Sequence, residues 1–431
     1  MFVIFQFSIF NFFRQLIIRK VRLEMIVSKI NKLAFSEDDK IIITTEDGKF
    51  SINNISDVDN SHIDNVTKCE TFNSPDQLKG KIVELVAESS NIFAYYNTSK
   101  DDDKKMIFIY DKTEKKRKGY INMKKLVKNI IVNSDRIVVV TNKKIYCYSF
   151  NNLSLIKGIE TVENVDGICV LSKNDLLLSP AAAPAPSITG GEGKGLIRVS
   201  DLSTSTSSNE EKKKEKDDII IQAHKENISA LAIHPSNTRV ASTSKNGTII
   251  RIFNISHHLE KEKIGDRKVC EFRRGKNSAV ISSLCFNSKG NLLLCSSDKG
   301  TIHIFSFSEE KNNNDSSSEK KEEEKNTTSY LSFAGLVLPS YFSSSWSFYQ
   351  IHLPHLATVS HICKFSSNVY NLGKVEVEEE KEKVEKKVEE KEKNDGELIY
   401  VACKDGKFYT IYFNYCNGTE KNKIKIQNLL L

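Results

Sequence analysis

Arg273 and Arg274 stand side by side in Phe272-Arg273-Arg274-Gly275, within a run from Cys270 to Phe305 built of short apolar segments. In a strand, consecutive side chains point to opposite faces. A guanidinium set among apolar neighbours needs an anionic partner or water. The pair therefore predicts two anion sites, one on each side of the strand that carries it. Fixed arginine donors, supplemented by hydroxyl and imidazole groups, suit an anion with several oxygens, each charge-assisted contact contributing about 1.5–3 kcal/mol.

The elements that must position these arginines read as short antiparallel strands. Ile281 to Leu284, Leu292 to Leu294 and Ile302 to Phe305 are three apolar runs separated by Asn-Ser-Lys-Gly and Ser-Asp-Lys-Gly turns, the pattern of one antiparallel blade. Ala223 to Phe253 repeats the plan: a leading Ala-His, a strand, a polar turn, a strand, a Ser-Lys-Asn-Gly-Thr turn and a strand ending Ile-Arg-Ile-Phe. Ile252-Phe253 and Ile304-Phe305 lie 52 residues apart, slightly beyond the usual blade period of about 40–45.

On these residues the chain resembles the PROPPINs, seven-bladed WD-repeat-like propellers that bind phosphoinositides in autophagy and carry an FRRG motif between two such blades. The resemblance implies an all-β, seven-bladed propeller with long insertions. It also implies a first phosphoinositide pocket of His224, Ser244, Thr248, Arg251 and Arg273, and a second of Arg274, Ser297, Thr301 and His303. Thr301 and His303, two apart, share a strand face as a common ligand requires. Thr248 and Arg251, three apart, do not on a regular strand, so either Thr248 belongs to the turn or Arg251 reaches along the blade edge. The alternative for each hydroxyl and histidine is a structural hydrogen bond within the blade.

Elsewhere Leu33 to Phe50 reads as the first blade, Ile82 to Tyr96 with Met106 to Asp111 as the second, Tyr120 to Ile159 as the third and Thr161 to Leu202 as the fourth. Leu398 to Lys404 and Phe408 to Phe413 read as the end of the seventh, with an N-terminal strand closing the ring beside them. The propeller is expected over 26–416, between an N-terminal extension, 1–25, and a C-terminal tail, 417–431. Residues 1–18 are apolar but interrupted by Gln6, Ser8, Asn11 and Arg14, short for a spanning helix of about 20 residues. They read as an extension of no structural role, with an interfacial anchor as the alternative. Flexible insertions are expected at about 179–195, 203–218, 308–329 and 374–395, from Ala/Pro/Gly, Ser/Thr and mixed-charge composition. Val377, Val384 and Val388 share a helical face in the last, too few for a coiled coil. Gly190 to Gly195 is not a phosphate loop, because Ile188 stands where the first glycine belongs and Gly195 where Ser or Thr does.

Tyr330 to Phe348, after the acidic insertion, contains Tyr330, Leu331, Phe333, Leu336 and Val337. Its resemblance is to the outer-strand loop that dips into the bilayer in PROPPINs, and Leu338-Pro339 with Tyr341-Phe342-Ser343-Ser344 and Trp346-Ser347-Phe348 resembles the WD-repeat phosphoinositide-interacting subgroup that includes types three and four. Those five residues are expected to contact membrane, while Trp346 to Phe348 reads as an ordinary outer strand of the blade. The acidic insertion should loop away from an anionic surface.

Composition narrows the functional classes. Lys+Arg of 63 against Asp+Glu of 56 leaves a net charge of +7 over 431 residues, too diluted to predict nucleic-acid binding. Nine cysteines without a CxxC pair, among them Cys147, Cys169, Cys285 and Cys295 in apolar runs, read as buried free thiols of a reducing compartment, with no metal expected. No catalytic constellation, cofactor or enzyme activity is expected. The reading is a monomeric, cytoplasmic effector recruited peripherally to phagophore, endosomal or vacuolar membranes by phosphatidylinositol 3-phosphate and/or the 3,5-bisphosphate. The subgroup resemblance implies an autophagy-related type two lipid-transfer protein as partner. The rival is a WD-repeat scaffold that binds proteins without lipid specificity.

Overall fold

The computed structural model describes residues 29–36, 39–46, 50–55, 82–98, 105–182, 194–203, 218–256, 267–307, 345–367, 396–414 and 423–428. They form seven sheets, antiparallel but for one short parallel pairing, arranged as the blades of a propeller. Blade one is β1 (Ile30–Phe35), β2 (Lys40–Thr45) and β3 (Phe50–Asn54). Blade two is β4 (Ile82–Glu88), β5 (Ile92–Thr98), β6 (Lys105–Asp111) and β7 (Lys116–Met123). Blade three is β8 (Val127–Val132), β9 (Arg136–Thr141), β10 (Lys144–Ser149) and β11 (Leu155–Glu160). Blade four is β12 (Val170–Leu171), β13 (Leu176–Pro180), β14 (Leu196–Asp201) and β15 (Ile219–Gln222). Blade five is β16 (Ile228–Ile233), β17 (Arg239–Ser244), β18 (Ile249–Asn254) and β19 (Lys268–Arg273). Blade six is β20 (Ile281–Phe286), β21 (Leu292–Ser297), β22 (Thr301–Ser306) and, after β23 (Ser345–Trp346), β24 (Tyr349–His352). Blade seven is β25 (His361–Phe365), β26 (Gly396–Cys403), β27 (Lys407–Asn414) and β28 (Lys423–Asn428).

The innermost strands contact one another in sequence, β1 with β4, β8, β12, β16, β20 and β25, and β25 returns to β1. Each of the seven junctions has its own apolar core. Phe272 and Phe305 meet between blades five and six, for example, and Ile304, Cys363 and Val401 between six and seven. Second strands are walled on both faces, so β9 and β21 are buried throughout and their sequences lose the alternation of a half-exposed strand. A bulge recurs in the innermost strand of blades one, two, three, five and six, bending each strand towards the axis. In blades five and six it falls on serines. Ser229 Oγ donates to Ser244 O at 2.8 Å, and Ser282 Oγ lies 2.7 Å from Ser296 Oγ and 2.9 Å from His361 Nε2.

Polar side chains lace neighbouring blades together at the turns after the innermost strands. Lys40 pairs with Glu88 at 2.7 Å, Asn133 Nδ2 donates to Asp175 Oδ1 at 2.8 Å, and Asn287 Nδ2 donates to Glu397 Oε1 at 2.8 Å.

Several sequence boundaries move. Tyr120 belongs to β7, the outer strand of blade two, so blade three begins at Val127. Ser179 and Pro180, expected in a flexible insertion, pair with Arg198 and Ile197 at the end of β13. Asp218, expected in another, holds Lys157 and Arg198 at 2.9 Å each. The tail contains β28, which supplies the outer strand of blade seven. The sheet of blade seven is thus completed by the C-terminal strand and not by an N-terminal one, while β1 is the innermost strand of blade one. Trp346 is not an outer strand of blade six. With Ser345 it pairs in parallel with β19 of blade five, and β24 takes the outer position. The 1–25 extension, the 308–329 and 374–395 insertions and Tyr330, Leu331, Phe333, Leu336 and Val337 lie outside the described residues. Among the described residues no helix is long and apolar enough to cross a membrane.

Candidate functional site

The turn between β17 and β18, Lys245 to Thr248, brings the two clefts beside blade five together. Gly247 has φ +59°, and a Cβ there would stand 2.1 Å from Ala279 O, so blades five and six approach too closely for any other residue. Thr248 lies in this turn, which removes the parity problem with Arg251. β19 runs antiparallel to β18 with Ile249 opposite Arg273 and Arg251 opposite Glu271. Beyond the last pair, Arg274 N donates to Thr248 O at 2.9 Å.

Residues opposite one another in an antiparallel pair share a face, so this register sorts the motif. Phe272, with Ile250 and Ile252, faces blade six, where it stacks on Phe305 with 4.9 Å between ring centres. Arg273 therefore shares the other face with Arg251 and Glu271, towards blade four. Arg274 turns back towards blade six. The structure thus places the adjacent arginines at different inter-blade clefts.

In the cleft between blades four and five, Arg251 Nε donates to Glu271 Oε2 at 2.9 Å and its Nη1 to Ala223 O at 2.8 Å. His224 Nε2 lies 3.0 Å from Ser242 Oγ. Burial, then the charge of Arg251, pulls the pKa of His224 down to about 4, so the ring is neutral. Ser244, two residues along β17 from Ser242, points to the same face, and Arg273 is buried at the end of β19 opposite Trp346. His224, Ser244, Arg251 and Arg273 thus lie on the cleft between blades four and five, with Thr248 in the turn above it, but His224 serves Ser242 and Arg251 already has a carboxylate.

In the cleft between blades five and six, the buried Arg274 donates through Nε to Gly247 O and through Nη2 to Asn277 O. Its Nη1 reaches 3.5 Å from Ser297 Oγ on blade six. Burial lowers the pKa of this guanidinium below its ordinary value, well within the range in which it stays charged. His303 Nδ1 lies 3.2 Å from Ser347 Oγ, and Thr301 Oγ1 lies 3.2 Å from His352 Nδ1. Burial, then Arg274, brings His303 also to about 4. Ser297, Thr301 and His303 share the face of blade six that meets blade five. Glu271, Ser242, Ser347, His352 and Trp346 are the neighbours that sequence reasoning missed. Only Glu271 left a sequence signal, an acid beside the motif.

The fold and the paired arginines define a seven-bladed propeller with a two-sided basic motif between blades five and six. A family model described as PROPPIN matches residues 30–343, and the chain belongs to that family. Autophagy-related protein 18 of Dictyostelium discoideum is 34% identical over 187 residues, 43% of this chain and 43% of that protein. Autophagy-related protein 18e of Arabidopsis thaliana is 27% identical over 321 residues, 72% of this chain and 75% of that protein. The match to the first of these curated relatives thus spans under half of its length. Among solved structures, Kluyveromyces lactis Hsv2 superposes with a TM-score of 0.59 at 18% identity, covering 94% of this chain and 100% of that one. A complex of KlAtg21 with the coiled coil of AgAtg16 superposes at 0.59 and 17% identity, covering 93% and 99%. These two share the fold.

Proposed function

We propose that this protein is a non-enzymatic phosphoinositide effector of autophagy. It would read phosphatidylinositol 3-phosphate and/or the 3,5-bisphosphate at two clefts and hold autophagy proteins on the membrane. The observation that carries this reading is the placement of Arg273 and Arg274, consecutive in sequence and directed to opposite sides of blade five. His224, Ser244, Thr248 and Arg251 complete the first headgroup site, and Ser297, Thr301 and His303 the second. Tyr330, Leu331, Phe333, Leu336 and Val337 contact the bilayer. Each cleft alone binds weakly. Two clefts and an apolar loop on one rim make the later contacts intramolecular, a gain of about 10²–10⁴ over a single site. Recruitment is peripheral, from the cytoplasm to phagophore, endosomal or vacuolar membranes, with an autophagy-related type two lipid-transfer protein as partner.

A protein-only scaffold has one observation on its side: Arg251 and Arg274 already meet protein acceptors. Flotation with liposomes containing or lacking phosphatidylinositol 3-phosphate separates the two. Wild type should float only with the lipid, and Arg273→Ala/Arg274→Ala should bind at least about tenfold more weakly while folded, since two charge-assisted contacts exceed 1.4 kcal/mol together. Equal flotation of both proteins, or of neither, would leave the scaffold standing.

A further inference from the structure

The junction between blades six and seven carries a cluster outside both arginine clefts. The 3-10 turn Pro354–Ala357 presents His355, β26 ends on Cys403, and Asp405 follows in the turn to β27. One donor atom from each, a ring nitrogen, the thiol sulfur and a carboxylate oxygen, all lie within 4.8 Å of one another. His355 Nε2 is 2.8 Å from Asp405 Oδ2. Yet this buried nitrogen makes no hydrogen bond, so the carboxylate meets it out of line with an N–H. Two donor atoms at contact distance without a hydrogen bond between them, with a sulfur alongside, match ligands arranged around a shared cation.

We propose that His355, Cys403 and Asp405 bind a zinc-class divalent cation. The donor chemistry selects the metal: a thiolate disfavours magnesium and calcium, while one nitrogen, one sulfur and one oxygen suit Zn²⁺. Tetrahedral zinc ligands at about 2.0–2.3 Å from the metal stand roughly 3.3–3.8 Å apart, so small side-chain movements close the site. Cys403 is buried, whereas the His355 and Asp405 side chains are 28% and 33% exposed. The cluster therefore lies at the edge of the junction between blades six and seven, with its donor nitrogen and sulfur turned inward. The backbone frame is already fixed: Thr358 N donates to His355 O at 3.0 Å, and Gly406 N donates to Cys403 O at 3.0 Å. Lys407, 3.6 Å from Asp405 Oδ2 and half exposed, swings into solvent as the cation takes its place. Burial holds the Cys403 thiol protonated, and on binding that proton leaves to solvent as the S–metal bond forms. The sequence hides the site, because 48 residues separate His355 from Cys403. Bound metal would pin the connector between blades six and seven, three residues beyond the His352 that contacts Thr301.

Co²⁺ is the direct probe, added to the reduced, chelator-treated full chain. One equivalent should produce the near-ultraviolet thiolate-to-cobalt band and the visible bands of tetrahedral cobalt, and Zn²⁺ should abolish both. Cys403→Ser should lose the thiolate band. Asp405→Asn and His355→Gln should each weaken Zn²⁺ at least about tenfold. No thiolate band in the wild type, or a band that persists in Cys403→Ser, overturns the proposal. If Cys403→Ser fails to fold, unchanged Zn²⁺ affinity in both Asp405→Asn and His355→Gln overturns it equally.

Discussion

Arg251 holds Glu271 at 2.9 Å, and that carboxylate opposes any phosphate entering the cleft between blades four and five. Glu271→Gln removes the competing charge and leaves the β18–β19 pairing intact. The pair is partly exposed, so the gain is modest: about fivefold tighter binding to phosphatidylinositol 3-phosphate vesicles, or about 1 kcal/mol. Unchanged or weaker binding would show that Arg251 takes no part in the site. His224 and His303 lead to a prediction about pH. Both are held near 4 by burial and a neighbouring arginine, whereas an unfolded histidine titrates near 6.5. The unfolded chain therefore binds protons first, so their contribution is complete above about pH 6.5 and is lost as pH falls towards 4, up to about 3 kcal/mol each. Urea midpoints should fall between pH 7.5 and 5, and His224→Gln/His303→Gln should flatten that slope. Equal slopes for both proteins would exclude these rings as the cause.

The turn before β18 is the element on which both clefts depend. Gly247→Ala demands positive φ from a residue with a side chain and drives its Cβ against Ala279 O. It also disturbs the carbonyl that receives Arg274 Nε. The variant should lose about 1–3 kcal/mol in thermal or urea unfolding and bind lipid less well even where it remains folded, whereas Gly275→Ala, whose Cβ meets nothing within 4 Å, should do neither. Wild-type stability in Gly247→Ala would refute the close approach. This element also shows what the sequence could convey. The Ser-Lys-Asn-Gly-Thr and Ser-Asp-Lys-Gly-Thr turns, the apolar runs around them and the adjacent arginines are local patterns, so the blades and the two-sided motif were legible. Partner choice was not. Arg251 meets Glu271 because of the register of β18 on β19, set across an intervening connection whose length fixes no register. His224 meets Ser242 and not Ser244, a choice between two serines on one face. Trp346 joins blade five from 73 residues beyond Arg273, and β28 fills the edge of blade seven, where its short Lys/Ile alternation is a strand signal that the expectation of a tail over 417–431 passes over.

A closed ring makes the junction between the first and last blades the most consequential, because among the described residues each blade's apolar cores join it to the blade on either side and one opened junction frees both ends. Asp39 of blade one is that junction's polar fastening. It lies 2.6 Å from Lys364 Nζ and accepts from Ser366 Oγ at 2.8 Å and Ser367 N at 2.9 Å, all in or beside blade seven. Burial alone would raise its pKa, but Lys364 and the two serine donors outweigh it and hold the carboxyl below its ordinary value. Its contribution is thus present above the ordinary carboxylate range and lost as pH falls through the lowered folded value. Asp39→Ala leaves the largely buried Lys364 ammonium with the Ser36 carbonyl at 3.0 Å but no carboxylate, and should cost about 3–5 kcal/mol in urea unfolding at pH 7. Asp39→Ala/Lys364→Ala should cost less than the sum of the single changes, since each already removes the pair. Amide exchange in Asp39→Ala should accelerate first in β1, β2 and β25, with β9 and β17 across the ring keeping their protection. Uniform acceleration around all seven blades, or additive costs in the cycle, would mean that closure rests on the apolar contacts of β1 and β25 and not on this fastening.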